Sequence, residues 1–120
     1  MQKVLKNVAD ERLRAYVVWL PILQNDNRKA AVERTAEFND KRVTHFWDKD
    51  RETGQVWQRI LDIERLAWDV YFLYSSNSQW QKQPTSPYFW MHQLGGIRKG
   101  EFLDEEKFES KAKELLERLD

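Results

Sequence analysis

The sequence contains no cysteine, and this absence narrows the possible chemistry first. Without thiols the chain forms no disulfide, has no cysteine nucleophile and binds no zinc through thiolates, so thiol-disulfide oxidoreductase activity is excluded. An excess of charge of one sign is also missing, because 20 lysines and arginines balance 20 aspartates and glutamates. The balance removes the electrostatic argument for binding nucleic acid or an anionic membrane surface.

Targeting and membrane-spanning segments are missing from the sequence as well. Residues 1–13 alternate charged and apolar side chains and contain no apolar segment of the signal-peptide type. No apolar run elsewhere approaches the length of a transmembrane helix. We therefore expect a cytoplasmic protein with no membrane contact. The two histidines have no metal-binding spacing, so we predict neither a metal site nor a cofactor.

The composition that remains is that of a globular α/β domain. The chain has 120 residues, of which 41% are hydrophobic and 33% are charged, and this predicts one domain over residues 1–120 with a core of ordinary size. Tryptophan is the unusual component, with six residues in the chain. They stand at positions 19, 47, 57, 68, 80 and 90.

The longest apolar stretch lies between Arg14 and Leu23. Its β-branched and aromatic residues predict a strand buried on both faces, at the centre of a sheet with helices packed against it. Pro21 lacks an N–H donor and is expected to end the strand. Val18 lies in the middle, so we expect it to be fully buried and Val18→Asp to prevent folding.

The other elements follow from apolar periodicity and capping residues. We predict helices over residues 2–9, 28–38, 50–61 and 104–119, the last two capped by Asp50 and Asp104, and further strands over residues 42–48, 68–74 and 88–94. Residues 43–47 alternate, with positions 43, 45 and 47 on one face and 44 and 46 on the other. A strand–helix–strand unit crosses over right-handedly, so the first two strands should be parallel neighbours, and the last two should pair antiparallel. The predicted fold is an α/β four-stranded mixed sheet in the order 2-1-3-4 with helices on both faces.

This order of elements resembles the thioredoxin-like fold, closest to its peroxiredoxin and membrane-anchored thiol reductase branch. The matching pieces are residues 16–26, 43–48, 53–63 and 68 onward. The family's Cys-x-x-Cys motif is absent, and Ala67-Trp68-Asp69 occupies the place of its cis-proline. The resemblance implies a non-redox scaffold whose first strand and redox helix are missing, with residues 2–13 as their remnant.

A candidate site follows from the predicted topology, because ligands bind at the carboxyl ends of parallel strands. There the ends of the first, second and fourth strands would meet the start of the third. This edge would bring together Trp47, Asp48, Trp68, Asp69 and His92. A histidine beside an aspartate can act as a base. The structural alternative is that both tryptophans pack in the core or at its rim, that His92 is a buried structural histidine and that the aspartates cap turns or helices.

Two functions from different classes remain open. The first is a non-redox module that binds an unknown protein or small-molecule ligand, and the second is a small enzyme that uses His92 with Asp69 or Asp48. Trp80 and the aromatic group at residues 88–90 form either an exposed patch for a partner or a lid on the sheet. A homodimer is a further possibility, because the strand at residues 43–47 is the expected outer edge and open edges pair readily.

Overall fold

Four helices and five strands form the part of the chain that the computed structural model describes, residues 1–22, 27–35, 39–80 and 82–119. In chain order they are α1 (Gln2–Asn7), β1 (Ala15–Trp19), α2 (Arg28–Thr35), β2 (Val43–Trp47), α3 (Glu52–Leu61), β3 (Val70–Leu73), β4 (Phe89–His92), β5 (Glu101–Phe102) and α4 (Glu105–Glu117). Each predicted helix and strand has a counterpart here. The predicted end of the second helix, residues 36–38, lies outside the described residues.

The strands of this α/β globule form two small sheets. In the first sheet β1 and β2 are parallel, with Ala15 opposite Val43. In the second sheet β4 lies between β3, its antiparallel partner, and β5, its parallel partner. The predicted parallel and antiparallel pairs are therefore confirmed. The predicted single sheet of order 2-1-3-4 is wrong, because β1 does not pair with β3, and the two-residue strand β5 was not predicted.

The buried core is built around the second sheet and covers both faces of β3, the strand that was predicted to lie beside β1. One core cluster joins Leu73 and Met91 of this sheet to apolar residues of α1 and α4. A second cluster contains Leu61 at the end of α3 and Leu94 after β4. The two faces of β3 are covered in this way by helices and the segments that follow them, so its apolar side chains are satisfied without β1.

The first sheet contributes no residue to either cluster. Every residue of β1 and β2 is half-buried or exposed, and Val18 is half-buried. The prediction that β1 is the fully buried centre of a sheet is therefore wrong. An apolar run predicts burial on both faces, but in the described part of the chain helix α2, with its buried Ala31, is the helix that packs against this sheet.

Arg42 joins the start of the first sheet to the rest of the molecule. Its side chain is only 9% exposed, and its guanidinium donates to the carbonyls of Leu5, Val8 and Asp10 at 2.6, 2.5 and 3.0 Å. The remaining donors meet the Asp40 carboxylate at 2.7–3.3 Å. These bonds use all five guanidinium N–H groups. The same bonds lower the pKa of Asp40 to about 2.

The other end of the first sheet is held by the N-terminus of α3. The Arg51 side chain donates to the carbonyl of Pro21 at 2.7 Å, just beyond β1. Gly54 in the first turn lies close under Leu20 and Leu66, because a Cβ at this position would be 3.0 Å from a carbon of each. A glycine in this turn therefore allows the close approach of helix and strand that a larger residue would prevent.

Candidate functional site

The five predicted site residues are divided between the two sheets. Trp47 and Asp48 lie at the end of β2 in the first sheet, whereas Asp69 and His92 lie at adjoining ends of β3 and β4 in the second. Trp68 precedes β3 and is 39% exposed. The juxtaposition of Asp69 with the end of β4 is confirmed by the bond that the Gln93 N–H donates to the Asp69 carbonyl, at 2.9 Å. Among the described residues, no hydrogen bond, ion pair or ring contact joins the Trp47–Asp48 pair to the other three.

His92 is buried within the second sheet and 5% exposed. Its Nδ1 accepts the N–H of Leu94 at 3.1 Å, so this nitrogen is engaged by the backbone. The imidazole lies between the rings of Trp90 and Phe102, with centroids 5.7 and 5.8 Å away. Burial, a backbone partner and two neighbouring rings are the features expected of the structural alternative for His92.

Asp69 is paired with a tyrosine. The Tyr71 hydroxyl donates to its Oδ1 at 2.7 Å. Burial first, and then the neighbouring Asp69 carboxylate, raise the pKa of Tyr71 well above its usual value. The phenol is therefore neutral under ordinary conditions and serves as a hydrogen-bond donor that holds the carboxylate at the start of β3.

Asp48 caps helix α3. Its carboxylate accepts the backbone N–H groups of Glu52 at 3.0 Å and Thr53 at 2.7 Å, which fall in the first turn. The Thr53 hydroxyl also donates to it. The cap predicted for this helix was Asp50, and the correct residue lies two positions earlier because Asp48 follows the last residue of β2. Capping satisfies N–H groups that a helix cannot satisfy internally.

Trp47 faces a groove of about 250 Å³ between α2 and the inner face of the first sheet. Trp19, His45 and Phe46 also line this groove, and the rings of Trp19 and His45 are stacked at a centroid distance of 6.0 Å. The Trp19 Nε1–H donates to Nδ1 of His45 at 3.1 Å. These contacts make the inner face a packed aromatic layer under α2.

The opposite, outer face of the first sheet exposes aromatic side chains. We define it by Tyr16, Val18, Thr44 and Phe46, whose side chains alternate with those of the inner face. Tyr16 is 68% exposed and Phe46 is 51% exposed, yet their rings lie side by side with centroids 6.4 Å apart. The alternation at residues 43–47 predicted the two faces of β2 correctly, but the apolar content of β1 concealed which side faces solvent.

Trp80 combines the two alternatives that the sequence left open. Its ring packs edge-on against Trp57 and Tyr74, with both centroid distances at 5.5 Å. It nevertheless remains 52% exposed. Trp57 donates its Nε1–H to the Tyr74 hydroxyl at 3.2 Å, and that hydroxyl donates to the Thr85 carbonyl at 2.6 Å. The loop tryptophan thus covers one side of α3 and the second sheet without being enclosed.

The described ranges contain no cluster of three or more histidine or acidic side chains with metal-binding geometry. Within those ranges, no helix is both long and apolar enough to cross a membrane. Comparison with protein-family models, with curated proteins and with solved structures finds no match to this chain. The resemblance to the thioredoxin-like fold therefore has no support from related proteins, and the function must be argued from the surface itself.

Proposed function

We propose that the chain is a protein-interaction module that binds its partner through the outer face of the first sheet. The observation that carries this proposal is the pair of exposed aromatic rings, Tyr16 and Phe46, on one side of a parallel sheet. Parallel sheets are normally covered on both faces, because their strands are apolar on both sides. Among the described residues, α2 packs against β2 and leaves Tyr16 and Phe46 more than half exposed. A partner that covers the outer face would complete the arrangement.

A protein suits this surface better than a small molecule. Ligand pockets are concave and enclose most of the ligand, whereas side chains on a two-stranded sheet form a flat surface. The outer face contains no charged residue, and Tyr16 is its most exposed aromatic side chain. Protein interfaces are enriched in aromatic residues and depleted of charge at their cores.

The alternative function, a small enzyme using His92, has no supporting contact. Such an enzyme would require an accessible imidazole beside a carboxylate. His92 instead lies buried between two aromatic rings with Nδ1 bound to the backbone, Asp48 caps α3, and Asp69 receives the Tyr71 hydroxyl. We therefore do not carry the enzyme forward as a second proposal.

Selection of peptides from a random displayed library tests the binding face without a known partner. Peptides selected on the folded protein should bind the outer face, because exposed aromatic residues dominate binding energy. Phe46→Lys should weaken a selected peptide by about 30-fold, which is the factor for a hot-spot loss of roughly 2 kcal/mol.

Trp80→Lys is the matched control, because Trp80 is as exposed as Phe46 but lies outside the outer face. This variant should bind the same peptides with unchanged affinity. Selected peptides that lose affinity with Trp80→Lys and not with Phe46→Lys would contradict the proposed face. Circular dichroism of each variant confirms that a loss of binding is not a loss of folding.

A further inference from the structure

The second edge of β1 is paired with no other strand among the described residues, and it indicates an interaction beside the outer face. At its two ends, the N–H of Ala15 donates to the Arg42 carbonyl and the carbonyl of Trp19 accepts the Asp48 N–H. These bonds direct the backbone of Ala15 and Trp19 toward β2. Because backbone groups alternate along a strand, the N–H and C=O groups of Tyr16 and Val18 point to the opposite edge. Among the described elements, β2 alone packs closely along β1.

We infer that this edge pairs with β1 of a second copy of the chain. The inference rests on the proposed function, since the pairing would enlarge the outer face on which that function depends and would leave it open to a partner. In an antiparallel arrangement centred on Val17, Tyr16 lies opposite Val18 of the other copy and the two residues exchange backbone hydrogen bonds. The two-fold symmetry lets one edge serve both copies, so one self-complementary patch is sufficient.

Charge favours a second copy over a charged partner. Residues 15–19 are Ala-Tyr-Val-Val-Trp, so β1 contains none of the charges or prolines with which proteins usually protect an open edge. The Arg14 side chains do not meet each other, because each lies opposite Leu20 in this register. The formal net charge of the chain is zero, and two copies therefore approach without long-range repulsion.

The pairing would also extend the binding face. Two first sheets would become one four-stranded sheet in the order β2-β1-β1-β2. Directly opposite residues of antiparallel strands project from the same side, so the outer faces of the two copies would join. The resulting surface would present two Tyr16 and two Phe46 side chains together. A two-stranded sheet is marginal alone, and four strands provide the larger paired unit that such sheets need.

Sedimentation velocity over a range of concentrations tests the pairing on the full chain. We expect a concentration-dependent species of twice the 14.6 kDa chain mass. Tyr16→Lys should raise the dissociation constant at least tenfold, because it places two cations near each other across the two-fold axis. Thr44→Lys is the matched control. Thr44 is exposed on the same face but belongs to β2, so this variant should dimerise like the original chain.

Single cysteines introduced into this cysteine-free chain identify the surface directly. Val18→Cys should be linked between copies by a short bis-maleimide. Thr44→Cys should not, because its two copies are separated by three strand spacings, roughly 14 Å. A monomer at every concentration would overturn the second copy as partner, as would a dimer that Tyr16→Lys leaves intact and Val18→Cys fails to link. The selected peptides test the proposed function independently of the dimer. If the dimer is overturned and the peptides still require Phe46, the proposed function stands; if they do not require Phe46, the proposed function is wrong as well.

Discussion

The first and second sheets differ in what covers their faces. Helices α1 and α4 cover one face of the second sheet, and α3 with its following segment covers the other, so Met91 at its centre is 1% exposed. In the described part of the chain, α2 is the helix that packs on the first sheet. The most exposed aromatic residue of this sheet, Tyr16, lies on the outer face. The two sheets contain similarly apolar strands and nevertheless have opposite degrees of burial.

An apolar strand therefore predicts that its faces will be covered, but it does not predict whether the same chain or a partner covers them. In the second sheet the cover comes from the same chain. In the first sheet it is incomplete, and exposed aromatic residues next to an open edge are the typical signs of an interaction surface. Substitutions and a change of pH in these two regions should differ in their effects, and the largest effect is described first.

The largest expected effect compares a buried charge in the two sheets. Met91→Asp places a carboxylate in the core of the second sheet and should destabilise the fold by roughly 5 kcal/mol, which is comparable with the whole stability of a domain. Val18→Asp was expected to prevent folding on the assumption of a fully buried strand, but Val18 lies on the half-buried outer face, so the substitution should cost about 1 kcal/mol. Urea unfolding followed by circular dichroism measures both. Equal losses would mean that the first sheet is as enclosed as the second.

Arg42→Met should have the next largest effect, because it removes the guanidinium that joins the first sheet to α1. The carbonyls of Leu5, Val8 and Asp10 would lose the guanidinium donors, and the Asp40 carboxylate would keep only the backbone N–H of residue 42. We expect a loss of about 3 kcal/mol, the lower end for breaking a buried ion pair, because Asp40 keeps some contact with water.

Hydrogen exchange distinguishes a local from a global effect of this substitution. The amides of β1 and β2 should lose protection before those of β3 and β4. Arg42→Lys is the control for charge, and it should recover only a small part of the loss because an ammonium cannot reproduce the five-donor fork. Full recovery by lysine would show that charge alone, and not the network, makes the connection.

Gly100→Ala disturbs the second sheet, because Gly100 lies just before β5 and close to the ring of Trp90 in β4. Gly100 has a positive φ of 78°, and a Cβ there would lie 2.5 Å from the Trp90 ring. Backbone strain and overpacking together should cost about 3 kcal/mol. Gly96 has a φ of 76° and open space around it, so Gly96→Ala should cost about 1 kcal/mol. Thermal unfolding of the pair isolates the Trp90 contact, and equal costs would remove that contact from the explanation.

The smallest effect is a dependence of the first sheet on acid. The pKa of Asp40 is lowered to about 2 by its bonds to Arg42, below the value of about 3.9 for an unfolded chain. A lowered folded-state pKa means that the stabilisation is complete above about pH 4 and is lost as the pH falls through about 2. Protection of β1 and β2 amides should decline over this interval, and Asp40→Asn should flatten the decline. An unchanged profile in the variant would assign the acid response to other carboxylates.

Much of the fold could be predicted from local signals. The capping residue Asp104 and the apolar stripe of α4 placed the last helix correctly, since Asp104 accepts the Lys107 N–H at 3.1 Å. The right-handed crossover rule gave the parallel pairing of β1 and β2. The sheet order could not be obtained in this way, because neighbours are chosen by tertiary packing that no single strand encodes. The two residues of β5 are too few to form a periodic pattern.

The candidate site was less accessible to sequence reasoning. Aspartate after a strand indicates a site and a helix cap equally, and Asp48 proved to be a cap. Arg42 gave no signal, because three of its partners are backbone carbonyls more than 30 positions away in the chain. The exposure of Tyr16 was not predicted, because hydrophobicity does not distinguish the two faces of an apolar strand.

Residue-resolved hydrogen exchange of the unmodified chain at low concentration tests most directly whether the two sheets differ in local stability. We predict that amides bonded between β3 and β4 exchange only through global unfolding. Those bonded between β1 and β2 should exchange through a smaller local opening, with a free energy that is lower than the global value without denaturant and merges with it as denaturant is added. Equal exchange free energies for the two sheets would contradict the account, because the first sheet would then be as firmly held as the core.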